Sequence, residues 1–292
     1  MELYRRLLIT RSAVRARPGE PQKQRHTDRD RPNSGNLPRI HAGFPNIQYS
    51  LRAVLGAVAL LLASLAAHAD LTFIAMGQSN MTRQGAEQVP FENIERVQVR
   101  VESGWAGAAN VIATRGLGPA VPFAAAMVGA TGQDVRIIPC AVPSTRIGLH
   151  VPAWQRTTIY GDCLARVGDT PVDGIVWWQG EDDALREAWA VGWAATFQEI
   201  VAAWRRDLNQ PRLPVVVVRL RKRPDESRLS FEIPGWDRVR AAQMALVGPA
   251  LAVVSSDGLA YPDEIHADGA GYVTMGGRLA YSMAALLRGQ TP

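Results

Sequence analysis

Five short apolar runs punctuate the chain after residue 70: Leu71–Met76, Val135–Pro139, Gly174–Trp178, Pro214–Leu220 and Leu251–Ser255. They are nearly continuous rather than alternating, the pattern of strands buried on both faces of a parallel sheet. Between them, apolar residues return at helical spacing over Val121–Gly129, Thr157–Val167, Glu187–Leu208, Asp237–Val247 and Tyr272–Leu287. Strand and helix therefore take turns. That order predicts an α/β fold with a doubly wound, mainly parallel five-stranded sheet, helices on both faces and one core. Sites in such sheets lie beyond the carboxyl ends of the strands. The segment Glu95–Thr114 alternates only weakly and fits extra strands or a loop equally well.

The stretch ahead of the first strand has a different character. In residues 51–69 an arginine, Arg52, precedes a short apolar core, which ends in Ala67-His68-Ala69. This is the layout of a secretory signal peptide cleaved before Asp70, and its core is shorter than the roughly 20 apolar residues of a spanning helix. Residues 1–50 are dominated by Arg, Pro, Gln and Asn, with no hydrophobic period, and are expected to be disordered. A signal peptide begins near an N-terminus, so translation is expected to start near Leu51 or Val54, the preceding residues being an over-extended reading frame. Residues 70–292 then form one exported domain, periplasmic or secreted, with no stable membrane association after cleavage.

Charge follows the same boundary. Of 32 Lys+Arg and 27 Asp+Glu, residues 1–69 hold 11 and 4, leaving 21 against 23 for residues 70–292. The domain is thus not basic despite a whole-chain charge of +5, and nothing electrostatic suggests nucleic acid. Its two cysteines, Cys140 and Cys163, fit a disulfide or two buried thiols, and spacing alone does not choose. Without a CxxC pattern they give no zinc signature.

Candidate chemistry clusters at the predicted strand exits. Gly77-Gln78-Ser79-Asn80-Met81 follows the first strand directly and presents a serine on a tight turn. A serine attacks at neutral pH only with a base to take its proton and donors to meet the oxyanion. Only His150 and His266 lie after residue 69. His266 follows Asp263 by three residues in a loop, a spacing that lets the carboxylate turn onto Nδ1. His150 has no such neighbour and reads as a surface or substrate-rim residue. The third strand ends in Gln179-Gly180-Glu181, offering an amide donor and a carboxylate, while Asp182 and Asp183 read as acids at a helix start. Gly116-Leu117-Gly118-Pro119 opens a helix, where backbone N–H groups are left unpaired. All eight tryptophans lie in residues 70–292. Trp177, Trp178, Trp189, Trp193 and Trp204 sit on predicted elements and read as core, whereas Trp105 and Trp154 sit in predicted loops and are candidates for lining a sugar site.

Taken in this order, Gly-Gln-Ser-Asn-Met, Trp-Gln-Gly-Glu and Asp-x-x-His resemble the SGNH hydrolases. More closely, nearly all of Leu71–Leu287 is similar to their sialate O-acetylesterase and acetylxylan esterase branch, carbohydrate esterase family six. The resemblance implies a flavodoxin-like three-layer sandwich and a serine esterase acting on acetylated carbohydrate without metal or cofactor. It implies Ser79 as nucleophile, His266 as base, Asp263 or Glu181 or both as the orienting acid, and the Ser79 amide, Gly118 amide and Gln179 side chain as the oxyanion hole. Arg240–Gln243 resembles a family helix segment and reads as packing. Two departures stand out. Ala141–Arg146 replaces the Gly-Gly-Thr-Ser-like turn that shapes the family's substrate mouth, and Met81 replaces the second glycine of the G-x-S-x-G elbow, against an α/β-hydrolase. Short acyl or lipid esters as substrates, or carbohydrate binding without turnover, are the competing readings.

Overall fold

The computed structural model describes residues 70–152 and 158–292. The expected disordered segment 1–50, the signal segment 51–69, and Trp154 and Thr157 lie outside the described residues. Seven strands form one sheet: β1 (Leu71–Gly77), β2 (Val97–Val101), β3 (Gly104–Gly107), β4 (Val135–Pro139), β5 (Gly174–Trp178), β6 (Val215–Arg219) and β7 (Leu251–Ser255). Their order is β3-β2-β4-β1-β5-β6-β7, and only the β2–β3 pair is antiparallel. Each of the five apolar runs is a strand. The sheet has two more than expected because Glu95–Thr114 supplies an edge hairpin. In β2 only Val97 and Val99 are fully buried while Gln98 is exposed, and β3 is Gly-Trp-Ala-Gly, so neither shows a continuous apolar run.

Among the described residues eight α-helical segments accompany the sheet: α1 (Ser79–Thr82), α2 (Ala108–Arg115), α3 (Ala120–Thr131), α4 (Ile159–Val167), α5 (Glu187–Ala190), α6 (Trp193–Asp207), α7 (Trp236–Met244) and α8 (Gly269–Leu287). Successive strand residues point to opposite faces. Thus Phe73, Ala75 and Trp178 join the core under α2, α3 and α8, and Ile74, Met76 and Trp177 join the core under α4, α6 and α7. Two cores sandwich one sheet. The helix expected over Glu187–Leu208 breaks at Val191-Gly192, and the break lets Trp193 enter the core fully buried. α8 begins ahead of Tyr272 because Asp268 caps it, accepting from the Gly271 N–H at 2.7 Å. Gly276 lets α8 lie against α3, since a Cβ there would sit 2.6 Å from the Phe123 nitrogen. Cys140 and Cys163 form a disulfide, Cα–Cα 5.4 Å, tying the exit of β4 to α4. Two free thiols are thereby excluded.

Candidate active site

β1 lies between β4 and β5, where the chain crosses from one half of the sheet to the other. Its carboxyl end is therefore the switch-point crevice of a doubly wound sheet. There Gly77 has φ 131°, and a Cβ on it would fall 1.9 Å from the Trp178 carbonyl oxygen. Only glycine lets β1 leave the sheet this close to β5. The next residue locks the two exits together: the Gln78 N–H donates to the Trp178 carbonyl at 2.9 Å, and Gln78 Oε1 accepts from the Gly180 and Asp182 N–H groups at 3.3 Å. Ser79 then opens α1, half-buried, with its hydroxyl reachable and its N–H without a partner among the described residues.

The hydroxyl is met from the other side of the crevice. His266 Nε2 lies 2.8 Å from Ser79 Oγ, and His266 Nδ1 lies 2.8 Å from Asp263 Oδ2. Asp263 Oδ1 also accepts the His266 and Ile265 N–H groups at 2.7 and 3.1 Å, so the loop is wound around its own carboxylate. Burial pulls the Asp263 carboxyl upward, but the hydrogen bonds from His266 outweigh it and hold it below the ordinary value. Burial lowers the His266 imidazole, Asp263 counteracts this, and the nearby Arg83 charge lowers it further.

Residues to which sequence reasoning gave no role hold this arrangement. Asn80 is fully buried, and its Nδ2 donates to Glu181 Oε1 at 2.6 Å and to the Ile265 carbonyl at 3.0 Å. Its Oδ1 accepts from the Ala267 N–H and the Tyr272 hydroxyl, both at 3.2 Å. One amide thus links the serine turn to the histidine loop, and it stands in the quoted Gly-Gln-Ser-Asn-Met block beside Ser79. Glu264, buried at φ 65°, pairs with Arg221 at 3.2 Å and with Arg228, clamping the same loop from the segment after β6. Arg83, at the end of α1, reaches Asp263 Oδ2 at 3.2 Å and His266 Nδ1 at 2.5 Å. A basic residue four positions after the serine was the signal for it.

Several expected site residues are placed otherwise. Glu181 is buried and bonded to Asn80, with Oε2 unpartnered and no hydrogen bond to His266. Burial pushes its carboxyl up to about 7. The Gln179 side chain faces the α6 core: Nε2 donates to the Thr145 carbonyl at 3.0 Å and to Asp183, and Oε1 accepts from Trp193 Nε1 at 2.9 Å. Both of its amide protons are committed, so it is not an oxyanion donor here. The Gly118 N–H is committed as well, donating to the Arg83 carbonyl at 2.8 Å. The Gly116 and Gly118 positions instead let this turn press on α1, where Cβ atoms would lie 2.6 Å from the Thr82 oxygen and 2.2 Å from the Asn80 oxygen. Of the three expected donors, the Ser79 N–H alone stands unpaired among the described residues.

His150 is no rim residue. It is fully buried, edge-on to Trp177 with ring centroids 5.1 Å apart, and burial lowers its imidazole to about 4. Thr145 Oγ1 donates to the Val142 carbonyl at 2.6 Å and lies 2.9 Å from His150 Nε2, anchoring the Ala141–Arg146 turn from below. Asp183 does open a short 3-10 helix (Asp183–Leu185) with Asp182 at its N-cap, as expected of acids at a helix start, but it is buried and also accepts the Ile147 N–H at 2.8 Å. Trp105 sits in edge strand β3 with Arg100 and Arg136 each 5.3 Å from its ring centroid. Arg240 and Gln243 of α7 brace strand exits: Gln243 accepts the Leu220 N–H at 2.7 Å and donates to the Gln179 carbonyl at 2.9 Å, while Arg240 pairs with Asp257 at 3.0 Å.

Comparisons with known proteins address the family and the fold of the chain. Residues 70–285 match the family model described as carbohydrate esterase, sialic acid-specific acetylesterase. An Arabidopsis thaliana protein described as a probable carbohydrate esterase is 27% identical over 176 residues, which span 56% of this chain and 62% of that protein. Among solved structures, an Arabidopsis thaliana protein superposes with TM-score 0.62 at 22% identity, covering 74% of this chain and 98% of that one. A carbohydrate acetylesterase from Xanthomonas citri gives TM-score 0.61 at 21% identity, covering 76% and 57%. These structural likenesses show the fold.

Proposed function

We propose, since this chain belongs to the family of sialic acid-specific acetylesterase carbohydrate esterases, that it is an exported serine esterase which removes O-acetyl groups from carbohydrate, with acetylated xylan or O-acetylated sialic acid as substrate. The observation that carries this reading is the relay from Ser79 Oγ through His266 to Asp263, with both links 2.8 Å long. Ser79 attacks the acetyl carbonyl as His266 Nε2 takes its proton, and Asp263 steadies the imidazolium that forms. The unpaired Ser79 N–H meets the developing oxyanion. His266 then passes the proton to the departing sugar oxygen, leaving Ser79 acetylated. In the second half His266 draws a proton from water, and the attack releases acetate and restores the serine. Asn80 and Glu181 serve by keeping nucleophile and base in register. The Cys140–Cys163 bond supports an oxidising destination, consistent with export.

The test is acetate release by the purified protein from acetylated xylan and from O-acetylated sialic acid, with Ser79→Ala alongside. Wild type releases acetate from one of them, and the variant loses about three or more orders of magnitude in kcat. Near-normal turnover by Ser79→Ala removes the assignment. A rate that grows with acyl chain length on simple esters moves the substrate from acetylated sugar to lipid.

A further inference from the structure

His266 Nδ1 has two neighbours that make opposite demands on it. Asp263 Oδ2, at 2.8 Å, is an ionised acceptor and needs a proton on Nδ1. Arg83 Nη1, at 2.5 Å, carries only N–H groups and needs a lone pair there. A neutral imidazole satisfies one of them at a time. With the proton on Nδ1, Nε2 offers its lone pair to the Ser79 hydroxyl and the base is armed. When Arg83 donates to Nδ1, the ring proton sits on Nε2, points at Ser79 Oγ, and leaves no site for the serine proton.

We infer that Arg83 is a positioning residue that competes with Asp263 for Nδ1 of His266, holding the ring in the idle tautomer until the guanidinium moves aside. The inference rests on the esterase reading for its kinetic consequences, but the tautomer itself does not depend on turnover. The backbone of Arg83 is fixed, its N–H donating to the Ser79 carbonyl at 2.9 Å and its carbonyl accepting from Gly118 at 2.8 Å. Its side chain is not, being 48% exposed, with an equally exposed Asp263 as its one ion pair among the described residues. Such a pair is weak, so the guanidinium swings at small cost. The other charged and titratable groups around the ring have partners elsewhere. Glu181 is bonded to Asn80, Glu264 to Arg221 and Arg228, the Tyr272 hydroxyl to Asn80, and Asp268 caps α8. Arg83 and Asp263 therefore control this ring between them, and the Arg83 charge also opposes formation of the imidazolium.

The test reads the tautomer directly, by nitrogen-15 NMR of the full chain labelled in histidine, with His266→Asn identifying the signals of that ring. In wild type at pH 8 the proton is expected on Nε2, and in Arg83→Ala it moves to Nδ1. In parallel, kcat/KM for 4-nitrophenyl acetate is followed over pH. Loss of the cation raises the imidazole pKa, so the acid limb of the Arg83→Ala profile moves to higher pH while kcat above that limb rises severalfold. Arg83→Lys, which keeps the charge, returns the limb toward its wild-type place. A proton already on Nδ1 in wild type, or an Arg83→Ala enzyme that is slower with its limb unmoved, overturns the inference and makes Arg83 a brace for Asp263. Arg83→Gln carries the same reading if the alanine variant does not fold. A wild type that hydrolyses no ester defeats the esterase reading alone, because the NMR signals still decide the tautomer.

Discussion

The two sides of the crevice are fixed by different physics. The serine side is set by shape: Gly77, Gly116 and Gly118 permit backbone contacts that no Cβ allows, and Asn80 is bonded at all four of its polar positions. The histidine side is set by charge: Asp263, Arg83, Glu264, Arg221 and Arg228 hold a loop whose outer members are half in water. Shape gives an all-or-none position, because a packed backbone has nowhere to relax. Charge gives a graded one that pH and salt can move.

Gly77→Ala breaks the contrast most sharply. With a Cβ 1.9 Å from a backbone oxygen and φ at 131°, the variant is expected to lose about 4 kcal/mol or more, giving little soluble protein and no cooperative melt. Glu181 sharpens it next. It is bonded to Asn80 and has carboxylates, not a cation, for charged neighbours, and burial raises it from 4.5 to about 7. The folded state keeps this proton where the unfolded chain has released it, so stability contributed by the group falls as pH rises from about 4.5 through 7. Glu181→Gln retains an acceptor for Asn80 and should flatten that fall, by at most about 3 kcal/mol, in denaturant midpoints measured at pH 5 and pH 8. His150 has the opposite sign, its folded pKa lying below 6.5, so its contribution is lost as pH falls from 6.5 toward about 4.

Asn80→Ala cuts the one amide joining the two sides, leaving the Ala267 N–H and the Tyr272 hydroxyl without their acceptor. About 2 kcal/mol of stability should go, with kcat reduced more than KM is raised, as urea melts and steady-state kinetics would register. The smallest effect is that of salt. The Arg83–Asp263 pair is 48% exposed at both ends, so raising ionic strength from 0.05 to 0.5 M should change kcat by about twofold or less and leave the melting temperature of the serine side's packing untouched.

Sequence legibility followed the same division. The five central strands were readable because residues buried on both faces make continuous apolar runs. β2 and β3, the hairpin at the sheet's edge, were not, because Val-Gln-Val-Arg-Val alternates and Gly-Trp-Ala-Gly is short and bounded by glycines. The Ser79 turn and the Asp263–His266 pair were readable because each is local in sequence. The Gln179 and Gly118 donors were misjudged because their backbone positions are near the crevice but their hydrogens point elsewhere, and direction is decided by residues as distant as Trp193 and Arg83. His150 was misjudged for a related reason. A polar residue in a loop reads as wet unless something reveals that the loop folds inward, and here that depends on Thr145 and Ile147 meeting the α6 side of the sheet.

The disulfide also has an evolutionary side. Cys140 and Cys163 close a ring of chain, 23 positions apart, from the foot of β4 to the flank of α4, and that ring contains the Ala141–Arg146 turn at the rim of the crevice. The covalent closure takes about 3 kcal/mol of freedom from the unfolded chain, and His150 and Asp183 pin the ring from within. Val142, Pro143 and Ser144 of that turn are exposed and can change without shifting either cysteine. The rim is thus a replaceable module: that turn can vary while the Ser79–His266–Asp263 geometry beneath it stays in place.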